Sequence, residues 1–428
     1  MPLASLRPLR SRNFALLWSS ALISNVGTWM QTVGLGILVF SRSGHQAGWT
    51  TLVVAAGFLP LGLLAPVGGA MADRFDRRRW LIVTTIGEMA IATLLTVLVA
   101  TGHDQPGLLV VVAFLGGAAG AVGFPAYQAM VPDMVPKEDL LGAMSLSSAQ
   151  FNLGRVVGPA AAGLTLIHND YTLTFAINAA SFAAVVIALS LVRLPRPAPV
   201  PGNEGMYRRI ADGARTAMSE PGCRSAIILI AVVALLASPF IALVTVMAAA
   251  FHGGHPNSLD TALLVTAQGI GAVIGAMLLP SLAEQVGRRT MVRGALFLLP
   301  LLLINYGLAP ALWWSLVTFL LVGAGYIAVL AGLNTVVQLR APAASRGRVL
   351  GFYMMALGIV YPIGAVIQGQ IANHIGVRAV TVGGAVILLV VLVLVATFRP
   401  QLLGALGDPP EVVPEGDFPE IVPTPELP

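Results

Sequence analysis

The 428-residue chain is 57% hydrophobic and only 10% charged, with a mean hydropathy of +0.85. That is more apolar surface than a soluble core of this length hides, so the chain is read as an integral membrane protein. The net charge of +5 is accounted for by the loop asymmetry described below, with no need to invoke nucleic acid, and the single cysteine, Cys223, excludes an intrachain disulfide and a cysteine metal cluster.

The chain opens on a short basic terminus, residues 1–13, that runs into an apolar stretch with no small-residue cleavage site. It is read as a cytoplasmic N-terminus leading into a permanent span. Segments long enough for about 30 Å of hydrocarbon fall at 14–40, 49–72, 80–101, 107–131, 141–167, 172–193, 225–251, 259–283, 290–309, 311–338, 348–373 and 377–398. The expected fold class is all-α, with twelve transmembrane helices.

Charge in the loops supports that count. With the N-terminus inside, the inner loops and helix ends hold twenty-one of the basic residues, the outer ones hold only Arg42 and Arg378, and Arg155 lies within a span. Basic residues gather on the cytoplasmic side of short loops, and one span more or fewer would invert half of this asymmetry.

The chain also repeats itself. GGAMADRFDRRR follows the second span and LLPSLAEQVGRRT the eighth, so Asp73, Arg77 and Arg78 match Glu284, Arg288 and Arg289 at a spacing of 211 residues. The expected domains are six-helix bundles at 14–193 and 225–398, joined by a cytoplasmic linker at 194–224. Within the linker, the pattern from Tyr207 to Met218 predicts a short amphipathic helix on the inner leaflet. The tail at 399–428 is rich in proline and holds six carboxylates beyond Arg399, a composition read as disordered and cytoplasmic.

Twelve spans, a long central loop and a G-x-x-x-D-R-x-G-R-R pattern resemble the major facilitator superfamily of secondary transporters. The matching positions are Gly69, Asp73, Arg74, Arg77 and Arg78, with Asp76 where that family usually has glycine. In the fifth span, Gly154, Gly158, Pro159 and Gly163 resemble the G-x-x-x-G-P-x-x-G-G pattern of its exporter branch, except at Ala162. SNVGTWMQ from Ser24 to Gln31, with N-x-x-R-x-x-G-P from Asn152, is similar to the subgroup of siderophore and macrolide efflux proteins. The resemblance implies alternating access, proton antiport, a cytoplasmic latch at Asp73, and a pathway lined by the first, fourth, seventh and tenth spans.

The residues narrow the chemistry further. A charge left in hydrocarbon costs about 2.5–3.5 kcal/mol, so the Gly69–Arg79 cluster belongs at the interface. Orientation alone explains its arginines; it explains Asp73 poorly, because acidic residues contribute little to orientation. No phosphate-cradling loop is present, since the only lysine, Lys137, follows a proline. Glu88 and Arg155 are the ionisable carboxylate and cation that lie well inside spans, away from their ends, and both are coupling candidates. Arg155 is read either as a structural anchor or as a counter-charge for a carboxylate or anionic substrate, and Glu88 as a neutral or water-facing glutamate or a proton carrier.

The expected cavity residues are Asn25, Trp29, Gln31, Tyr127, Gln128, Gln268, Asn334 and Gln338, each equally readable as interhelical packing. The glycines of GGAAGAVGFP and QGIGAVIG are read as close-packing positions. All six histidines fall at outer ends or loops, with no completed metal cluster in sequence.

The expected function is export of a small apolar, neutral or weakly anionic molecule from the cytoplasm across a plasma or bacterial inner membrane, by a monomer without cofactor or metal. Sugar or metabolite uptake is the alternative, and a non-transporting receptor the alternative from another class. An enzyme is not expected, because the spans show no H-E-x-x-H and no acidic pair.

Overall fold

The computed structural model describes residues 4–168, 170–192, 206–342 and 345–407. The acidic tail from Asp408, the linker at 193–205 and the Asp73 side chain lie outside the described residues.

Twelve helical spans follow one another: α1 (Arg12–Arg42), α2 (Ala47–Arg74), α3 (Arg77–Ala100), α4 (Pro106–Met130), α5 (Leu140–Thr165), α6 (Tyr171–Leu191), α7 (Pro221–Ala249), α8 (Ser258–Val286), α9 (Arg288–Gly307), α10 (Leu312–Arg340), α11 (Arg346–Ile375) and α12 (Val377–Phe398). All but α5 are long and apolar enough to cross a membrane by length and composition. Helix α5 has the length, but Gln150, Asn152 and Arg155 lower its hydropathy. Side chains such as Ile187, Leu298 and Val393 lie exposed along the helices, as a lipid-facing surface requires.

The loops end the helices by capping. Asp76 accepts a hydrogen bond from the Arg79 N–H at 2.9 Å, and Asp170 does the same for Leu173 at 2.8 Å. This explains the departure of Asp76 from the glycine of the motif: it caps α3. Gly287, 211 positions later, keeps the glycine and uses it, with φ at +80°.

Helix pairing repeats between the halves. In the first, α1 packs on α5 and α6, α2 on α4, and α3 on α4 and α6; in the second, α7 packs on α11 and α12, α8 on α10, and α9 on α10 and α12. Close approaches repeat as well. A Cβ on Gly117 would overlap the Gly57 backbone, and one on Gly323 the Gln268 backbone. Gly117 and Gly323 stand 206 apart, Gly57 and Gln268 211 apart.

Helix α7 is broken where the sequence predicts one continuous span. It runs Pro221–Leu236 and resumes at Phe240–Ala249, because Pro239 cannot continue the ladder. Gln368 donates from Nε2 to the Leu235 and Leu236 carbonyls at 3.0 Å each, and Ser238 bonds the Val233 carbonyl at 3.2 Å and the Tyr326 hydroxyl at 3.0 Å. Backbone freed inside a bilayer needs such partners.

Ahead of α7, a helix over Met206–Ser219 packs on the start of α11, where a Cβ on Gly213 would stand 2.9 Å from the Arg348 Cβ. Glu220 then caps α7 and pairs with Arg340 at 3.0 Å. Burial works against ionising Glu220, but hydrogen bonds from the Cys223 and Gly222 backbone and from Arg340 outweigh it and hold its carboxyl below the ordinary range. Its stabilisation is therefore complete above the unfolded-chain value of about 4.3 and is lost as pH falls through the lower folded value. Glu220→Gln should cost about 1 kcal/mol at pH 7, as for a lost cap, and its melting temperature should converge on wild type as the pH is lowered past that window.

The halves meet through α2 against α11 and α5 against α8. One end of the molecule carries both described chain ends and most of the arginines (the basic end); the other carries the loops bearing His45, His103, His252 and His255 (the histidine end). Contacts between halves run from the histidine end to mid-depth. There the Gly48 N–H donates to Asn373 at 3.1 Å, the Ser258 hydroxyl donates to the Leu166 carbonyl at 3.1 Å, and the His45 and His255 rings lie 5.6 Å apart. A Cβ on Gly163 would stand 2.9 Å from that of Ala262, and one on Gly369 would overlap Thr51. These two contacts are repeats of each other, Gly163 and Gly369 being 206 apart and Thr51 and Ala262 211 apart. Toward the basic end, Gly69, Gly347 and Gly351 have open space where a Cβ would stand. The molecule is closed at the histidine end and splayed at the basic end.

Candidate functional site

Glycines in α5 bring α1 close enough to set the site. A Cβ on Gly158 would lie 2.5 Å from the Trp29 Cβ and 2.7 Å from the Val26 carbonyl, and one on Gly154 would lie 2.8 Å from the Asn25 Cβ. With Pro159 buried beside them, they seat Trp29 against the Arg155 turn. The Arg155 guanidinium stands 5.6 Å from the Trp29 ring centre, within cation–π range, and Phe151 meets that indole edge-on at 6.2 Å.

From α5, Arg155 reaches across to the other half, donating from Nη2 to Gln268 Oε1 on α8 at 2.8 Å. Asn152, one turn earlier on the same helix, donates to the Ser148 carbonyl at 2.9 Å and does not meet the Arg155 guanidinium in a hydrogen bond. Two donors are left over: Arg155 Nε and Gln268 Nε2 are both buried without a hydrogen-bond partner.

A cavity surrounds the pair, lined by Trp29, Arg155 and Gln268 together with Phe58, Phe240 and Phe319 and several aliphatic and threonine side chains. No carboxylate lines it among the described residues. Its volume, about 50 Å³, is far below the roughly 300–1,000 Å³ of a ligand pocket. It is the narrow apex below the closed histidine end.

The other expected cavity residues lie elsewhere. Gln31 accepts from Asn178 at 2.7 Å inside the first bundle, and Tyr127 points to Gln150 at 3.5 Å. Gln128 is exposed, Asn25 faces Gly154, and Gln338 donates to Asn334 along α10. Glu88 on α3 packs toward Gly120 of α4, with its Oε1 2.9 Å from where a Cβ there would stand, and does not line the cavity. Phe58, Phe240, Phe319 and the break in α7 escaped the sequence reading; Pro239 in an apolar run was the available signal.

The loop motif resolves into local anchors. Arg77 pairs with Asp133 at 2.9 Å and bonds the Ala129 carbonyl at 3.3 Å; Arg78 donates to the Leu189 and Ser190 carbonyls at 2.6 and 2.8 Å. Each ties the start of α3 to the C-terminal end of another helix of its own bundle, where cations are favoured. Arg74 lies 5.9 Å from the Phe75 ring. In the second half, Glu284 is exposed and Arg289 lies 3.6 Å from where a Cβ on Gly404 would stand, while Arg288 opens α9.

Among known proteins, the family described as transmembrane secretion effector matches residues 3–412. The chain is 26% identical over 397 residues to the multidrug efflux pump Tap of Mycolicibacterium fortuitum, covering 90% of this chain and 95% of that one. It is 25% identical over 363 residues to the staphyloferrin A transporter of Staphylococcus aureus, covering 84% and 89%. In fold it is similar to a bacterial homolog of the human lysosomal transporter Spinster, described as inward-facing and occupied, with a TM-score of 0.74 at 15% identity over 94% of this chain and 99% of that one.

Proposed function

Because the chain belongs to the transmembrane secretion effector family, within the major facilitator superfamily, we propose that it exports small, mainly apolar molecules, neutral or weakly anionic, of drug-like or siderophore type. The observation that carries this reading is the apex at the junction of the halves, where Trp29, Arg155 and Gln268 sit in a wall of mainly aromatic and aliphatic side chains with three threonines. A sugar site calls for more hydrogen-bonding groups. Tap, an efflux pump, favours the same direction, and Tap and the staphyloferrin A transporter favour the same cargo classes.

The basic end faces the cytoplasm in this reading, so the structure is the inward-open state of a monomer. Cargo enters from the basic end and leaves after the two contact pairs, α2 with α11 and α5 with α8, rock to open the histidine end. Proton antiport drives the cycle, with Glu88 and Arg155 as the coupling residues. Cells lacking the protein should accumulate such compounds, and Trp29→Ala should change the range of compounds exported more than the amount of protein. An unchanged range with the variant present in the membrane would reject this cavity.

Asp73, at the end of α2, latches the basic end in the opposite, outward-open state of this cycle, with Gly69, Arg74 and the Glu284 echo shaping the same turns. Asp73→Asn should leave insertion intact, raise the accessibility of cysteine probes at the basic end, and cut flux several-fold. Normal flux with unchanged probe accessibility would reject the latch.

A further inference from the structure

Resting on the export reading above, we infer that Arg155 binds the anionic group of the cargo, and that the preferred cargo is an apolar, commonly aromatic body carrying one carboxylate, which replaces the Gln268 carboxamide on the guanidinium. Among the described residues Arg155 forms no salt bridge. Its polar partner is a neutral amide at 2.8 Å, its other neighbour is the Trp29 ring, and among the described residues no Asp or Glu lines the cavity. An unpaired buried charge is costly, and an arriving anion removes that cost.

The unused donors fit the same group. Arg155 Nε and Gln268 Nε2 are buried without acceptors, and Gln268 is only 4% exposed. A carboxylate has two oxygens, enough to take a guanidinium edge bidentately while still accepting from a nearby amide. A neutral cargo can accept from these donors but brings no charge to offset the guanidinium, and a cationic one meets Arg155 with like charge. At about 50 Å³ the space beside the pair takes the carboxylate group itself, and the aromatic side chains around it, Trp29, Phe58, Phe240 and Phe319, suit an aromatic body joined to that group.

The bond that the cargo displaces joins α5 of one half to α8 of the other. Binding therefore acts on a contact between the halves as well as on the cargo.

The test uses purified full-length protein and two probes of matched size, 1-naphthylacetate and its primary amide 1-naphthylacetamide, with affinities measured by calorimetry. Wild type should bind the acid about tenfold or more tighter than the amide, the scale of a charge-assisted bond. Arg155→Gln should remove that preference by weakening the acid alone, and Arg155→Lys should keep part of it. Equal affinity of wild type for acid and amide, or no binding of the acid, overturns the inference without needing any variant to fold. A preference that survives Arg155→Gln also overturns it. Efflux of chloramphenicol, a neutral compound, is measured on the same preparation: its absence would count against the export reading, whereas its presence without an acid preference would remove only the anion site.

Discussion

Gly369→Leu is expected to abolish efflux while leaving the protein folded and inserted. Gly369 faces the other half: the three atoms nearest to a Cβ there all belong to Thr51, and that Cβ would overlap the Thr51 side chain. The added bulk has no room when the histidine end is closed and ample room when it is open. Two states separated by a packed contact respond to such a wedge by a change of population, so the variant should be held open at the histidine end. Gly163→Leu, its repeat against Ala262, should act in the same direction. Labelling of a cysteine placed at Ala47, in a Cys223→Ser background, by an impermeant maleimide should rise sharply for both. Wild-type efflux by Gly369→Leu would remove this contact from the transport cycle.

Gly271→Leu should fail earlier, at the level of the fold. A Cβ on Gly271 would overlap the Leu320 carbonyl, and both residues belong to the second bundle, where no rocking motion relieves the clash. Overpacking a tight interior costs about 1–3 kcal/mol, and here the obstacle is backbone, which gives least. The expected result is loss of monodisperse protein and a lowered melting temperature. Gly294→Leu is the control: nothing lies within 4 Å of its Cβ position, and it should behave as wild type. Equal behaviour of the two would mean that the α8–α10 contact is looser than described.

The architecture was largely legible because it rests on one-dimensional signals. The span count follows from runs of hydrophobic residues, and the internal repeat from Asp73, Arg77 and Arg78 recurring at a spacing of 211. Arg155 stood out because a cation inside a span is rare, and Gln268 and Trp29 were named, though nothing in the sequence joined them. Their meeting depends on Gly154 and Gly158 drawing α1 onto α5, and on α8 crossing from the other half. Those are distances between helices, which periodicity does not encode. Gln31 shows the converse: its amide looked like cavity chemistry, yet it is consumed by Asn178 within a bundle. The roles of Arg77 and Arg78 at the ends of α4 and α6 were hidden for the same reason, since a loop arginine reads as orientation until the helix end that it meets is known.

The most direct test of the account is flux of chloramphenicol in proteoliposomes holding the protein with its basic end outward and a lumen made acidic. Export driven by proton antiport predicts uptake into these vesicles above equilibrium, collapse of that uptake by a protonophore, and none in Gly369→Leu. Uptake of a sugar with no movement of chloramphenicol or 1-naphthylacetate under any gradient would contradict it.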